Sequence, residues 1–188
     1  MIDINWNRYA LIAELTKRIN PLSPQFGKTA LQKLVFFLQE VYKVDCGYDF
    51  KLYSYGPFDS QLLSDLDMVA HWGCVSIIRV NDSLGGYRID PTDSVDSIRD
   101  RAVEFLDTES TRNALNDLIS TYGAMTARDL ELRATTVYVA QDLHAKGEQG
   151  TLDRVCHLVG QLKPKFSSDE IERAAIELND RQHIQITT

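Results

Sequence analysis

The stretch Asp59-Ser60-Gln61-Leu62-Leu63-Ser64-Asp65-Leu66-Asp67-Met68-Val69-Ala70-His71-Trp72-Gly73, then after Cys74 Val75-Ser76-Ile77-Ile78-Arg79-Val80, decides the fold. Leu62, Leu63, Leu66, Val69 and Ala70 recur at the three-and-four spacing of an amphipathic helix. Asp59 suits the N-cap, because its carboxylate can accept from orphan amides of the first turn, and Gly73 is a natural stop. Val75–Val80 and Tyr87-Arg88-Ile89 then flank a loose loop, Asn81 to Gly86, and read as a β-hairpin. The Gly85-Gly86 pair there serves a turn and lacks the spacing of a phosphate cradle.

Upstream, Trp6 to Ile19 is helical and is halted by Pro21 and Pro24. After Gly27, the stripe Ala30, Leu31, Leu34, Val35, Leu38, Val41 and Tyr42 predicts a second amphipathic helix. Phe50, Leu52 and Tyr53 form a short extended run that Gly56-Pro57 breaks. Helix, helix, short strand, helix, hairpin is the order of a winged helix. Beyond the junction Pro91–Ser94 the pattern is helical throughout: Val95–Leu106, Thr111–Ile119, a helix capped by Thr126, and Leu152–Leu162. A last helix is opened by a capping box of Ser167 and Glu170, with Phe166 and Ile171 as its staple. The expected fold is mainly α with a small β-hairpin, a winged-helix-like lobe over residues 1–92 packed on an all-helical lobe over 93–188.

With 188 residues, 44% hydrophobic and 25% charged, the chain can bury a full core without disulfides or metal. Its longest apolar run, Leu34 to Leu38, is far short of a membrane span, and no secretory leader is legible. Cys46, Cys74 and Cys156 are an odd, scattered set, which suits a reducing cytoplasm. The net charge of −7 lowers the prior for nucleic acid. The helix expected to enter a major groove carries Asp59, Asp65 and Asp67 and no Lys or Arg. Contact with DNA would fall to Lys28, Lys33, Arg79 or Arg88. Lys163 and Lys165, beside a turn, read as solvated.

No constellation announces catalysis, so the chain reads as a non-enzyme with no catalytic residues, metal or cofactor. His71 with Cys74, and Cys156 with His157, have zinc-ligand chemistry at poor spacing. Asp96 and Asp100 share a helical face beside Arg99 and Arg101, as a surface ion-pair face would.

Lys28-Thr29-Ala30-Leu31-Gln32-Lys33-Leu34-Val35-Phe36-Phe37, followed by Tyr55-Gly56-Pro57-Phe58, resembles the bacterial YwgA-like proteins and the related Panacea domain, also called SocA-like or phage-associated. Leu162-Lys163-Pro164-Lys165-Phe166-Ser167, with Glu170-Ile171 and Ala174, resembles the C-terminal part of the YwgA group. The likeness covers most of the chain, most strongly residues 27–73, and departs in the spacing around Thr29-Ala30. It implies an antitoxin-like role, or a place in a phage, defence or mobile-element system, and brings no catalytic residues.

Physically, Gly56 permits a backbone angle other residues avoid and Pro57 fixes the next one. Gln32 and Lys33, on the polar side of the second helix, are placed to bond this turn as a structural tie. Tyr53, Tyr55 and Phe58 alternate around it. Packing into the lobe's core is their commoner fate, yet at least one ring can reach the surface and serve recognition. The leading expectation is a protein-binding module that offers Tyr53, Tyr55, Phe58, Asp59, Asp65 and Asp67 to a protein partner, such as a basic toxin or a defence-system component. The alternatives are a DNA-binding regulator and an enzyme with an unfamiliar site.

Overall fold

The computed structural model describes residues 5–80 and 86–187. Helix α1 (Trp6–Ile19) opens at Asn5, whose side chain accepts from the Arg8 amide. Helix α2 (Lys28–Glu40) follows, then strands β1 (Lys51–Tyr53) and β2 (Gly56–Phe58), helix α3 (Ser60–His71), and strands β3 (Val75–Val80) and β4 (Gly86–Pro91). The rest is helical: α4 (Val95–Arg99), α5 (Val103–Leu106), α6 (Glu109–Tyr122), α7 (Ala127–Ala145), α8 (Leu152–Leu162) and α9 (Ser168–Asp180). The fold is therefore mainly α with two small antiparallel hairpins. Among the described residues no helix is long and apolar enough to cross a membrane.

The hairpin β3–β4 pairs over six residues, from Val75 opposite Pro91 to Val80 opposite Gly86. A third extended segment joins it, which the periodicity before α2 did not signal. The Ile89 amide donates to Phe26 O at 2.8 Å, and Gly27 bridges Arg88. A Cβ on Gly27 would lie 2.0 Å from Tyr87 O, so only glycine permits this approach. Residues 81–85, which hold the expected wing tip, lie outside the described residues.

Three expectations need correction. First, Gly56-Pro57 does not break the chain out of the sheet. Tyr53 pairs with Gly56, Leu52 with Pro57 and Lys51 with Phe58, so a second hairpin turns at Ser54-Tyr55. A φ of +88° at Gly56 brings the chain back across β1. Second, Val95–Leu106 is two short helices around a tight turn at Asp100–Ala102. The bend brings Val95, Ile98, Ala102 and Leu106 all to the core.

Third, α2 has no polar side at Gln32 and Lys33. Both are buried, because α2 is covered by β2, α6 and α7 at once. Helix α7 is similarly enclosed, by α2, α8, α9 and β2, and buries residues around most of its circumference. One hydrophobic core runs from Ala10 in α1 to Ile184, across the 92/93 junction. Phe37 of α2 stacks on Tyr122 of α6 at 4.3 Å between ring centroids, which ties the two halves together.

Candidate docking site at the Tyr-Gly-Pro hairpin

Three-residue strands cannot hold a hairpin in water by themselves. Here the β1–β2 hairpin is gripped from beneath by side chains of α2 and of the segment after α8. The Lys33 ammonium donates to Pro57 O at 2.9 Å. Gln32 makes a two-way bond to the backbone of Asp59, just past the hairpin: its Nε2 donates to Asp59 O at 2.7 Å, and its Oε1 accepts from the Asp59 amide at 3.0 Å. From the other side, Lys163 donates to Tyr53 O and to Ser54 O. Gly56 sits over the group, where a Cβ would come within 3.2 Å of both Lys33 Cε and Thr135 Oγ1.

Glu131 of α7 supplies the countercharge. Its Oε1 lies 3.0 Å from Lys163 Nζ and its Oε2 lies 2.7 Å from Lys165 Nζ. The first contact has the distance of an ion pair without the geometry of a hydrogen bond. Lys33, Glu131 and Lys163 are all buried, while Lys165 is half exposed. Burial pushes the Lys33 ammonium down to about 8; Glu131 opposes that shift and Lys163 adds to it.

What this grip holds outward is aromatic. Tyr53 is 60% and Tyr55 66% exposed, the two most exposed large apolar side chains among the described residues. Phe58, half-buried, meets Tyr53 edge to face at 5.3 Å. Lys165 Nζ stands 5.4 Å from the Tyr55 ring centre. Between α2 and the hairpin lies a cleft of about 350 Å³, lined chiefly by Lys28, Lys33, Tyr53, Tyr55, Phe58 and Leu63.

The acidic residues read as a docking face divide. Asp59 caps α3, its carboxylate accepting from the Gln61 and Asp49 amides, both at 2.6 Å. Asp65 is buried and is no surface residue. It accepts from Tyr48 Oη and from Gln61 Nε2, each at 2.8 Å, with Arg8 at 3.8 Å. Two residues apart on a helix, Asp65 and Asp67 point to different sides, and only Asp67 is exposed.

The residues assigned to DNA contact fare unevenly. Lys33 is buried and cannot reach a phosphate. Lys28 lies 4.5 Å over the Tyr87 ring and 3.8 Å from Asp67, and Arg88 is paired with Asp90 at 2.7 Å. Arg79 is exposed on β3. Lys163, read as solvated, is instead buried, as Lys33 is.

Glu131 and Lys163 are the members that reading by local pattern missed. A signal for Glu131 existed: it stands between Leu130 and Leu132 at the start of a helix whose apolar residues lie all round, which marks burial. The thiols hold no comparable arrangement. Cys46 and Cys74 are buried, and burial pushes the Cys46 thiol up to about 12, away from nucleophile chemistry. No protein-family model matches the chain, and no curated protein matches it significantly.

Proposed function

We propose that this is a non-catalytic protein-binding module whose docking surface is the β1–β2 hairpin. The observation that carries the reading is a pair of exposed tyrosines, Tyr53 and Tyr55, on a turn fixed from below by buried charges. A held turn has already lost the freedom that docking would otherwise take from it, and tyrosine adds large contact area at low entropic cost. The mechanism is surface occlusion with no covalent step. The two segments that carry the Panacea and YwgA resemblance, around Lys33-Tyr55-Gly56-Pro57 and around Lys163, meet at this hairpin. That meeting supports an antitoxin-like or defence-complex role in the cytoplasm, where the three free thiols would stay reduced. Burial of Asp65 removes the acidic helix as the main contact and leaves the aromatic turn in its place.

The test is capture of the partner from nuclease-treated host lysate, followed by affinity measurement with purified partner. Tyr53→Ser with Tyr55→Ser should weaken binding at least about tenfold, the loss expected of aromatic anchors, with the fold intact by circular dichroism. Asp67→Lys should change it little. Unchanged affinity in the tyrosine variant would remove the hairpin from the interface. Capture of a defined DNA fragment, lost on nuclease treatment, would favour a regulator.

A further inference from the structure

The β3–β4 sheet is closed on one side and open on the other. On β4 the Ile89 amide points away from β3, since it donates to Phe26 O at 2.8 Å. The sheet therefore runs Phe26-Gly27, β4, β3, with β3 at its edge. In an antiparallel ladder, residues that face each other direct their backbone groups either both inward or both outward. Ile77 faces Ile89, so its N–H and C=O point away from β4, and those of Arg79, two residues on, do the same. Among the described residues, neither bonds to another backbone group on that outer side.

The edge strand, Val75-Ser76-Ile77-Ile78-Arg79-Val80, is rich in β-branched residues. It lacks the devices that usually guard an edge: it has no proline and no lysine, and its register with β4 runs without a bulge. Val75 at its start is buried, whereas Ile78 and Arg79 are exposed. Ile78, 40% exposed, alternates with Ile77 and so lies on the sheet face turned from the core. The open part of the edge is centred on Ile78.

We propose that this edge pairs, antiparallel, with the same edge of a second copy of the chain, in the register that sets Ile78 opposite Ile78 of the second copy. Ile77 of one copy and Arg79 of the other then exchange both backbone bonds, and the symmetric pair does the same. The two Ile78 residues form the closely spaced pair between them, so each covers the exposed side chain of the other. Arg79, the strand's only charge, falls opposite Ile77 and not opposite its own copy, so like charges do not face each other directly. A second copy also closes the arrangement, because an isologous pair of edges leaves neither one open. A strand pair this short buries less than the roughly 1,200–2,000 Å² of a stable interface, so the dimer is weak, with a dissociation constant on the order of 100 µM. The surface does not use Tyr53 or Tyr55.

Sedimentation and amide hydrogen exchange are followed on the full chain from about 10 µM to about 1 mM. Sedimentation should show a monomer–dimer equilibrium. At the high concentration the Ile77 and Arg79 amides should slow about threefold or more, while those of Ile78 and Val80, which face β4, should change little. Ile78→Lys sets two ammonium groups opposite each other and should weaken dimerisation about tenfold, with circular dichroism unchanged at this exposed position. Tyr53→Ser with Tyr55→Ser should leave dimerisation as it is. A chain still monomeric at about 1 mM would overturn the proposal. So would a dimer whose Ile77 and Arg79 amides do not slow, or one lost with the tyrosines and kept in Ile78→Lys. The exchange measurement uses the unaltered protein, so the outcome does not depend on a variant folding.

Discussion

The two hairpins of this protein solve one problem in opposite ways. The β3–β4 hairpin pairs over six residues, adds Phe26-Gly27 as a third extended segment, and sinks Ile89 into the core. Strand pairing and burial hold it, with Asn20 of the segment after α1 donating to Asp90 at 2.8 Å. The β1–β2 hairpin pairs over only three and points Tyr53, at the end of β1, and Tyr55, in the turn, to solvent. It is held by ammonium groups that reach its carbonyls from below. The difference teaches what the buried lysines Lys33 and Lys163 do in this fold: both stand where a short hairpin must be rigid without a core of its own. The arrangement carries a liability, since removing one member strands another inside the protein.

Glu131→Gln should therefore be the most damaging change. It leaves Lys163, only 4% exposed at its side chain, without its carboxylate and should destabilise by about 3–5 kcal/mol in urea unfolding. Asp142→Asn, at an exposed acid on α7 paired with Lys146, should stay below about 1 kcal/mol by the same measurement.

Lys33 sharpens the comparison through pH. Its native pKa, about 8, lies below the ordinary lysine value of 10.5, so between those two pH values the unfolded chain binds more protons than the native one. Stability contributed by this group must then rise with pH across that window. Burial also raises Cys46, and burial with Asp65 raises Tyr48, so those groups act in the opposite direction at high pH. The clean readout is the difference between wild type and Lys33→Met. It should move in favour of wild type by about 2 kcal/mol from pH 7.5 to pH 10. A pH-independent difference would contradict the buried, desolvated state of Lys33.

Glycine gives a smaller, paired test. Gly56→Ala meets a left-handed φ of +88° and two atoms at 3.2 Å, and should be destabilising by about 1–2 kcal/mol from the backbone alone. Gly86→Ala at the start of β4 meets nothing within 4 Å and should stay within about 0.5 kcal/mol. Tyr53→Ser and Tyr55→Ser should likewise have little effect on stability, within about 0.5 kcal/mol each, as exposed positions do.

Features set by near neighbours in sequence were legible in advance. Asp59, Thr126 and Ser167 all cap their helices, and Glu170 completes the capping box with Ser167. Divergence of Asp65 from Asp67 follows from helical geometry, but which of them turns inward depends on Tyr48 and Arg8, far away in the chain. The β1–β2 hairpin escaped because Ser54-Tyr55 lacks the usual hairpin-turn residues and Pro57 reads as a breaker. Lys33 bonds the turn, as its position suggests, but the side of α2 that carries it is buried and is not a polar side. Amphipathic reasoning assumes one covered side, and α2 is covered by β2, α6 and α7 together. Lys163 and Glu131 are 32 positions apart, and only the packing of α7 against α8 brings them within 3.0 Å.

The most direct test of the central claim is amide hydrogen exchange on wild type and Lys163→Met, compared hairpin by hairpin. Lys163 reaches Tyr53 O and Ser54 O, and among the described residues it makes no hydrogen bond or ion pair with β3–β4. Protection of the amides from Lys51 to Phe58 should fall at least about tenfold while those of β3–β4 keep theirs relative to global stability. Equal loss in both hairpins, or no loss in either, would contradict a buried-charge grip on the Tyr-Gly-Pro turn.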